Sequence, residues 1–232
     1  MPRKRTGIIV IGVLLAASGL AFLRAEQLKL ERAPVGGTHL QKYFSTTCSP
    51  VRAGTRCRSH SALLRFRLRT AGRVALAIAD GSGRIVAHLT PASGRLLPRG
   101  PVSLRWNGRR DGGGTAADGV YHLRVALLHL HRVITIPDPI ELDNTAPRLT
   151  LLSRPGSLPI RYRASEAAVV FVRAIGLGAD TGRSTVFHGR AGVAHFHHTG
   201  LTGAHVRITL LAVDPAGNAS ALVDAGSIRL PG

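Results

Sequence analysis

Few side chains in this sequence stand where they could make or break a bond, and the histidines come nearest. The stretch HFHH sets His195 and His197 two positions apart on one face of an extended segment, with Phe196 on the other. Two imidazoles so placed hold a metal when a third ligand, such as His188 or His205, comes close. No carboxylate or cysteine joins them at ligand spacing, so exposed strand histidines are the expectation, and the same holds for His122, His129 and His131. Most acids, among them Asp80, Asp111, Asp118 and Asp214, stand beside glycine, proline or a turn. That placement suits turn capping and solvation better than paired acid–base catalysis. Neither a GxSxG nucleophile elbow nor the lysine and hydroxyl of a phosphate loop occurs. No catalytic residue, metal or cofactor is therefore expected.

Charge is the stronger chemical signal. The formal net charge is +19, and of 31 basic residues only Lys4, Lys29 and Lys42 are not arginine. One reading is a bias that writes arginine wherever a solvated cation serves; the other is an anionic partner. Candidates for such a contact are Arg65, Arg67 and Arg69, which alternate with Leu64, Phe66 and Leu68, and the adjacent pair Arg109 and Arg110. Binding through them would weaken steeply with salt. Rings make up only 4% of the chain, too few for the stacking platforms of single-stranded nucleic acid, so no nucleic-acid partner is expected.

The elements that carry these groups read as strands. ALLRFRLR alternates apolar and basic residues; RVALAIAD puts Val74, Leu76 and Ile78 on one face, then turns at DGSG into RIVAHLT. Turn residues recur every eight to twelve positions, the rhythm of an antiparallel sandwich. Between Trp106 and Tyr121 lie Asn107-Gly108, Asp111-Gly112 and Asp118-Gly119, dipeptides that fold a loop without a ligand. A second set of strand-like runs (LPIRYRAS, AAVVFVRAI, GVAHFH, VRITLLAVD) follows a stretch marked by Pro137, Pro139, Pro147 and Asp143-Asn144. It ends in AVDPAGNAS, where Asp214, Gly217 and Asn218 would make the turn.

The amino end points to a membrane. Arg3, Lys4 and Arg5 precede the uncharged run Gly7–Leu23, which as a helix reaches about 26 Å at roughly 1.5 Å per residue. The charged, helix-compatible RAEQLKLERA follows without a turn signal, favouring an uncleaved anchor over a cleaved signal. The basic amino end then sets that terminus inside and the bulk of the chain outside. Cys48 and Cys57 enclose SPVRAGTR, and in an oxidising compartment a local disulfide is their simple reading, with two free thiols as the alternative.

The segment LRWNGRRDGGGTAADGVYHLRV resembles the signature of the FlgD/Vpr-type immunoglobulin-like domain, with Trp106, Asn107, Gly108, Gly114, Gly119 and Tyr121 on its pattern. The likeness covers roughly residues 60–130; Asn107 stands where aspartate is usual and Ala117 where proline is common. The family implies a β-sandwich used for assembly or spacing, with no catalytic residue to carry over. AVDPAGNAS resembles the last hairpin of many bacterial immunoglobulin-like extracellular domains.

The expected organisation is all-β, with two immunoglobulin-like antiparallel β-sandwich domains behind an N-terminal transmembrane helix. Residues 1–6 are a basic tail, 7–23 the anchor, 24–42 a stalk, 43–142 the first sandwich and 143–232 the second. The expected role is a non-catalytic, membrane-tethered surface protein for adhesion, spacing or assembly. The alternatives are an arginine-rich binder of anionic wall polymer or lipid headgroups, and an accessory subunit of a surface enzyme.

Overall fold

Ala62–Leu68 buries every second residue completely, with Leu64, Phe66 and Leu68 inward and Arg65 and Arg67 in solvent. The alternation decides that this segment is a strand with one covered face, and burying each of its large side chains contributes about 1.5–3 kcal/mol. The computed structural model describes residues 33–48, 59–189, 192–194 and 201–231, with Ser18 alone of those before them. The Gly7–Leu23 run, apart from Ser18, thus lies outside the described residues, as do Cys57, His195 and His197. Among the described residues no helix is long and apolar enough to cross a membrane.

Ten strands build the first unit: β1 (Val35–Leu40), β2 (Tyr43–Phe44), β3 (Ala62–Leu68), β4 (Gly72–Asp80), β5 (Ile85–His88), β6 (Arg95–Leu97), β7 (Gly100–Trp106), β8 (Gly119–Leu127), β9 (Arg132–Thr135) and β10 (Ile140–Leu142). One sheet has the order β1-β3-β7. The facing sheet runs β2-β10-β8-β4-β5, with β6 beside β4 and β9 beside β8. Every pairing is antiparallel except β2 with β10, where Tyr43 and Phe44 lie parallel to Glu141 and Leu142. A three-stranded A-B-E sheet facing a G-F-C-C′ sheet is the immunoglobulin-like arrangement. Its core holds Leu64, Phe66, Leu76, Ile78, Leu123 and Trp106. On the far side of β4, Ala77 and Ala79 are also covered. Both are small and have longer cross-strand partners, Arg124 and His88 beside Ala77 and His122 beside Ala79.

The second unit repeats the plan with β11 (Leu149–Leu151), β12 (Ile160–Ala164), β13 (Val169–Gly176), β14 (Ser184–His188), β15 (Val193–Ala194), β16 (His205–Val213) and β17 (Val223–Arg229). Its sheets have the orders β11-β12-β15 and β14-β13-β16-β17. Its own core gathers Ile160, Tyr162, Val172, Val206, Ile208 and Leu210.

Three placements differ from the sequence reading. The end of the expected stalk, Val35–Leu40, is strand β1, because the backbone there pairs with β3 and Arg69 Nε donates to Ala33 O at 2.7 Å. Ile140–Leu142, placed within the first sandwich but not read as a strand, is its closing strand. His129 and His131 belong to no strand: His129 lies in a 3-10 turn (Leu128–Leu130), and His131 caps it with φ +50°. Local alternation carries no trace of any of these, since two are decided by which strand edge the chain meets and the third by a short turn.

Candidate functional site

The glycine-rich loop is held from below by rings. Trp106, 2% exposed at the end of β7, meets Phe44 edge-to-face at 5.5 Å between centroids and Tyr121 at 4.8 Å. Its indole Nε1 donates to Arg109 O at 3.0 Å, and Tyr121 Oη donates to Ala117 O at 2.6 Å. A tyrosine at the start of this strand, bonding back to the backbone a few residues upstream, is the tyrosine corner of immunoglobulin-like sandwiches. Burial, reinforced by Asp80 and Asp118, pushes the Tyr121 phenol above its ordinary range.

The loop closes on itself from above. Arg110 N donates to Gly114 O at 3.1 Å, Ala116 N to Gly108 O at 2.7 Å and Arg109 N to Asn107 Oδ1 at 3.1 Å. Gly108 has φ +76°, and a Cβ there would come within 2.6 Å of the Thr46 methyl and 3.5 Å of the Phe44 ring. Both reasons require glycine. Asp111 tacks the loop to the neighbouring strand: its amide donates to Val86 O at 3.1 Å, and its carboxylate accepts from His88 N at 2.8 Å and faces His88 Nδ1. The His88 backbone N–H, then the His88 ring, hold the Asp111 carboxyl below its ordinary range. These contacts tie Trp106, Asn107, Gly108, Gly114 and Tyr121 to the loop backbone and to the core beneath it.

A groove of about 480 Å³ lies against this loop, lined by Ser61, His88, Arg105, Arg109, Arg110 and Asp111 among others. Serine, histidine and aspartate share it. Ser61 Oγ, however, accepts from Arg105 at 3.4 Å and lies 3.5 Å from Ser59 Oγ, leaving the Asp111–His88 pair without the hydroxyl contact that would activate a nucleophile. What dominates the groove is positive charge.

Arg65 and Arg67 project outward from β3, with Arg69 just beyond its end, and all three are exposed. Register places His39 of β1 and Ser103 of β7 on either side of Arg65, and Arg105 opposite Leu63, so Arg105 sits diagonally from Arg65 on the same outer face. The sequence-named arginines thus come together with Arg105, which sequence reasoning passed over. Its signal was the period-two step from Ser103, readable only once the β3–β7 register is known. The arginine ion pairs found among the described residues, Arg84–Asp80, Arg183–Asp180 and Arg207–Asp224, lie elsewhere.

A second cluster joins the two units. Asn144 donates from N and Nδ2 to Asp118 Oδ1 at 2.9 and 3.0 Å, while its Oδ1 accepts from Thr46 N and Oγ1, both at 2.8 Å. Thr145 Oγ1 donates to Asp118 Oδ2 at 2.6 Å. From the other side Asn218 Nδ2 donates to Asp143 O at 2.9 Å, Thr145 O at 3.3 Å and Asp214 Oδ2 at 2.8 Å. Asp214 and Asn218, expected to make the turn of the last hairpin, do make it, and they are buried at 6% and 4% exposure. Burial first, then neighbouring Asp214, Asp118 and Glu141, raise the Asp143 carboxyl above its ordinary range; burial and the same neighbourhood raise Glu166.

His188 packs its ring edge-to-face on Phe171 at 4.8 Å, and His205 gives its amide to Asp180. His122 Nδ1 lies 3.2 Å from Ile136 O. Among the described residues no group of three or more histidine, cysteine or acidic side chains could hold a metal ion. Cys48 is buried and is not a free thiol.

No protein-family model matches the chain, and no curated protein matches it. Among solved structures it is similar to fibronectin(III)-like modules of CbhA from Clostridium thermocellum, with 17% identity, TM-score 0.36, and coverage of 86% of this chain and 92% of the other. It is similar to the human OSCAR ligand-binding domain at 13% identity and TM-score 0.37, covering 81% and 97%. A third similarity is to the BSP domain of a biofilm-associated protein, at 13% identity and TM-score 0.29, covering 85% of this chain but only 30% of that one. The sandwich assignment rests on the strand orders above.

Proposed function

We propose that this chain is a non-catalytic module of the cell surface, a pair of immunoglobulin-like sandwiches held at a set spacing for adhesion or assembly. The joint carries this reading. Asp118 and Thr46 of the first unit and Asn218 of the second seize the same three linker residues, Asp143 to Thr145. A linker bonded from both sides restrains its units against swinging, as a spacer needs. The loop around Trp106 contributes a scaffold of FlgD/Vpr type. The run Gly7–Leu23 is the anchor, the carboxyl-terminal bulk lies outside, and Cys48 pairs with Cys57 in the oxidising exterior.

The test is a phosphatase fused after Gly232 in living cells, together with crosslinking of intact cells. Phosphatase activity outside and recovery of a crosslinked envelope partner support the reading. A reporter active only in the cytoplasm overturns it.

A further inference from the structure

None of the three strands of the β1-β3-β7 sheet contains an acidic residue, a property it shares with the β11-β12-β15 sheet, although acids occur in both units. The outward positions of the β1-β3-β7 sheet instead carry Arg65 and Arg67, with Arg69 following and Arg105 on the adjacent strand. Residues two apart on a strand are about 6.6–6.8 Å apart, and diagonal cross-strand neighbours about 7–8 Å. The cations therefore recur at near-equal backbone steps from Arg67 through Arg65 to Arg105, with Arg69 beyond the strand end and its Nε donating to Ala33 O. At Arg105 the row enters the groove that Arg109 and Arg110 also line. Of the carboxylates near the row, Asp111 is bonded to His88, while Asp138 accepts from the neutral Thr38 hydroxyl at 2.8 Å and keeps its charge.

We infer that this row is a binding track for a linear polyanion, an extended chain with phosphate or carboxylate groups at intervals, ending in the groove beside Trp106. Guanidinium forks bind such oxyanions two hydrogen bonds at a time and stay charged at any physiological pH. A row of cations that runs along β3 and crosses to Arg105 on β7 selects an extended chain over a compact ion. The flanking residues on the row are His39, Ser103 and Pro101, with no phenylalanine, tyrosine or tryptophan among them on which a base could stack. The second unit shows the same habit on a smaller scale, with Arg161 and Arg163 outward on β12, the strand equivalent to β3. The inference deepens the surface-module reading by naming a ligand class, yet the track can bind in solution whichever side of a membrane the protein occupies.

The test compares the full chain with Arg65→Ala/Arg67→Ala/Arg105→Ala and a charge-matched control, Arg95→Ala/Arg132→Ala/Arg173→Ala, whose three arginines are also exposed but lie off the track. Probes are long-chain inorganic polyphosphate and poly-L-glutamate, which tell phosphate from carboxylate, and vesicles of phosphatidylglycerol with phosphatidylcholine. Titrations run over a salt series, and melting curves of all three proteins confirm folding. The track variant should bind one of the polymers at least tenfold more weakly than the control. Its plot of log affinity against log salt should be shallower by about 2–3, at about 0.7–0.9 per lost phosphate contact on the nucleic-acid scale. Equal weakening by both variants reduces the effect to net charge and overturns the track. So does binding of neither polymer, or loss of vesicle binding alone, which would assign the face to a membrane.

Discussion

Trp106→Ala tests the claim that the glycine-rich loop is scaffold. Replacing a buried large aromatic by alanine costs about 3–5 kcal/mol. Here the upper half of that range applies, because the indole also makes two edge-to-face contacts, with Phe44 and Tyr121, each worth about 0.5–1.5 kcal/mol. The lost bond to Arg109 O adds little, since Arg109 is exposed and water can replace the donor. A loss of about 4–5 kcal/mol is most of the stability of a domain at the low end of the usual 5–15 kcal/mol. At about 4–8 °C per kcal/mol for a small domain, the transition of the first unit should fall by about 20 °C or more. Calorimetry of the full chain separates this transition from that of the second unit, which should not move. Arg109→Ala and Arg110→Ala, on the loop surface, should each change stability by less than about 0.5 kcal/mol. A Trp106→Ala melt within about 1 kcal/mol of the parent would refute the packing argument, because no 2%-exposed tryptophan in a filled core is that cheap to remove.

Tyr121→Phe keeps the ring and removes only the bond to Ala117 O, so it should cost about 1 kcal/mol in a denaturant melt; no change would mean the corner bond is idle. Asn218→Ala strips donors from Asp143 O and Thr145 O and a partner from buried Asp214, and should cost about 1–3 kcal/mol while exposing the Asp143–Thr145 amides to hydrogen exchange. Unchanged exchange there would show that the linker is not held from the second unit. Asp143 has a folded pKa raised above its unfolded value, so it favours the fold while protonated and penalises it as pH rises through that range. Asp143→Asn should therefore stabilise the protein at pH 7 more than at pH 3; the opposite order would show that its carboxylate is welcome in the joint.

The strands were legible in the sequence wherever one face is dry and the other wet. Arg65 and Arg67 between Leu64, Phe66 and Leu68, or Tyr121, Leu123 and Val125 two apart, fix a period that only a half-buried strand satisfies. Turn chemistry was legible in part: Asn107 folds back on Arg109 N as an Asx turn, whereas Asp111 and Asp118 give their carboxylates to the distant His88, Asn144 and Thr145. Residues without a period gave no such sign. Val35–Leu40 contains two glycines and a register shift, and becomes a strand only because the β3 edge offers it partners. Ile140–Leu142 is three residues between prolines, recruited by β8 and β2 from distant parts of the chain. The functional surfaces lie furthest from local sequence. Arg105 joins Arg65 through the pairing register, and Asn218 reaches Asp143 across 75 positions. Local sequence can state which side chains are charged or polar; which of them become neighbours is decided by strand pairing and burial of the two cores, long-range contacts that no window of the chain contains.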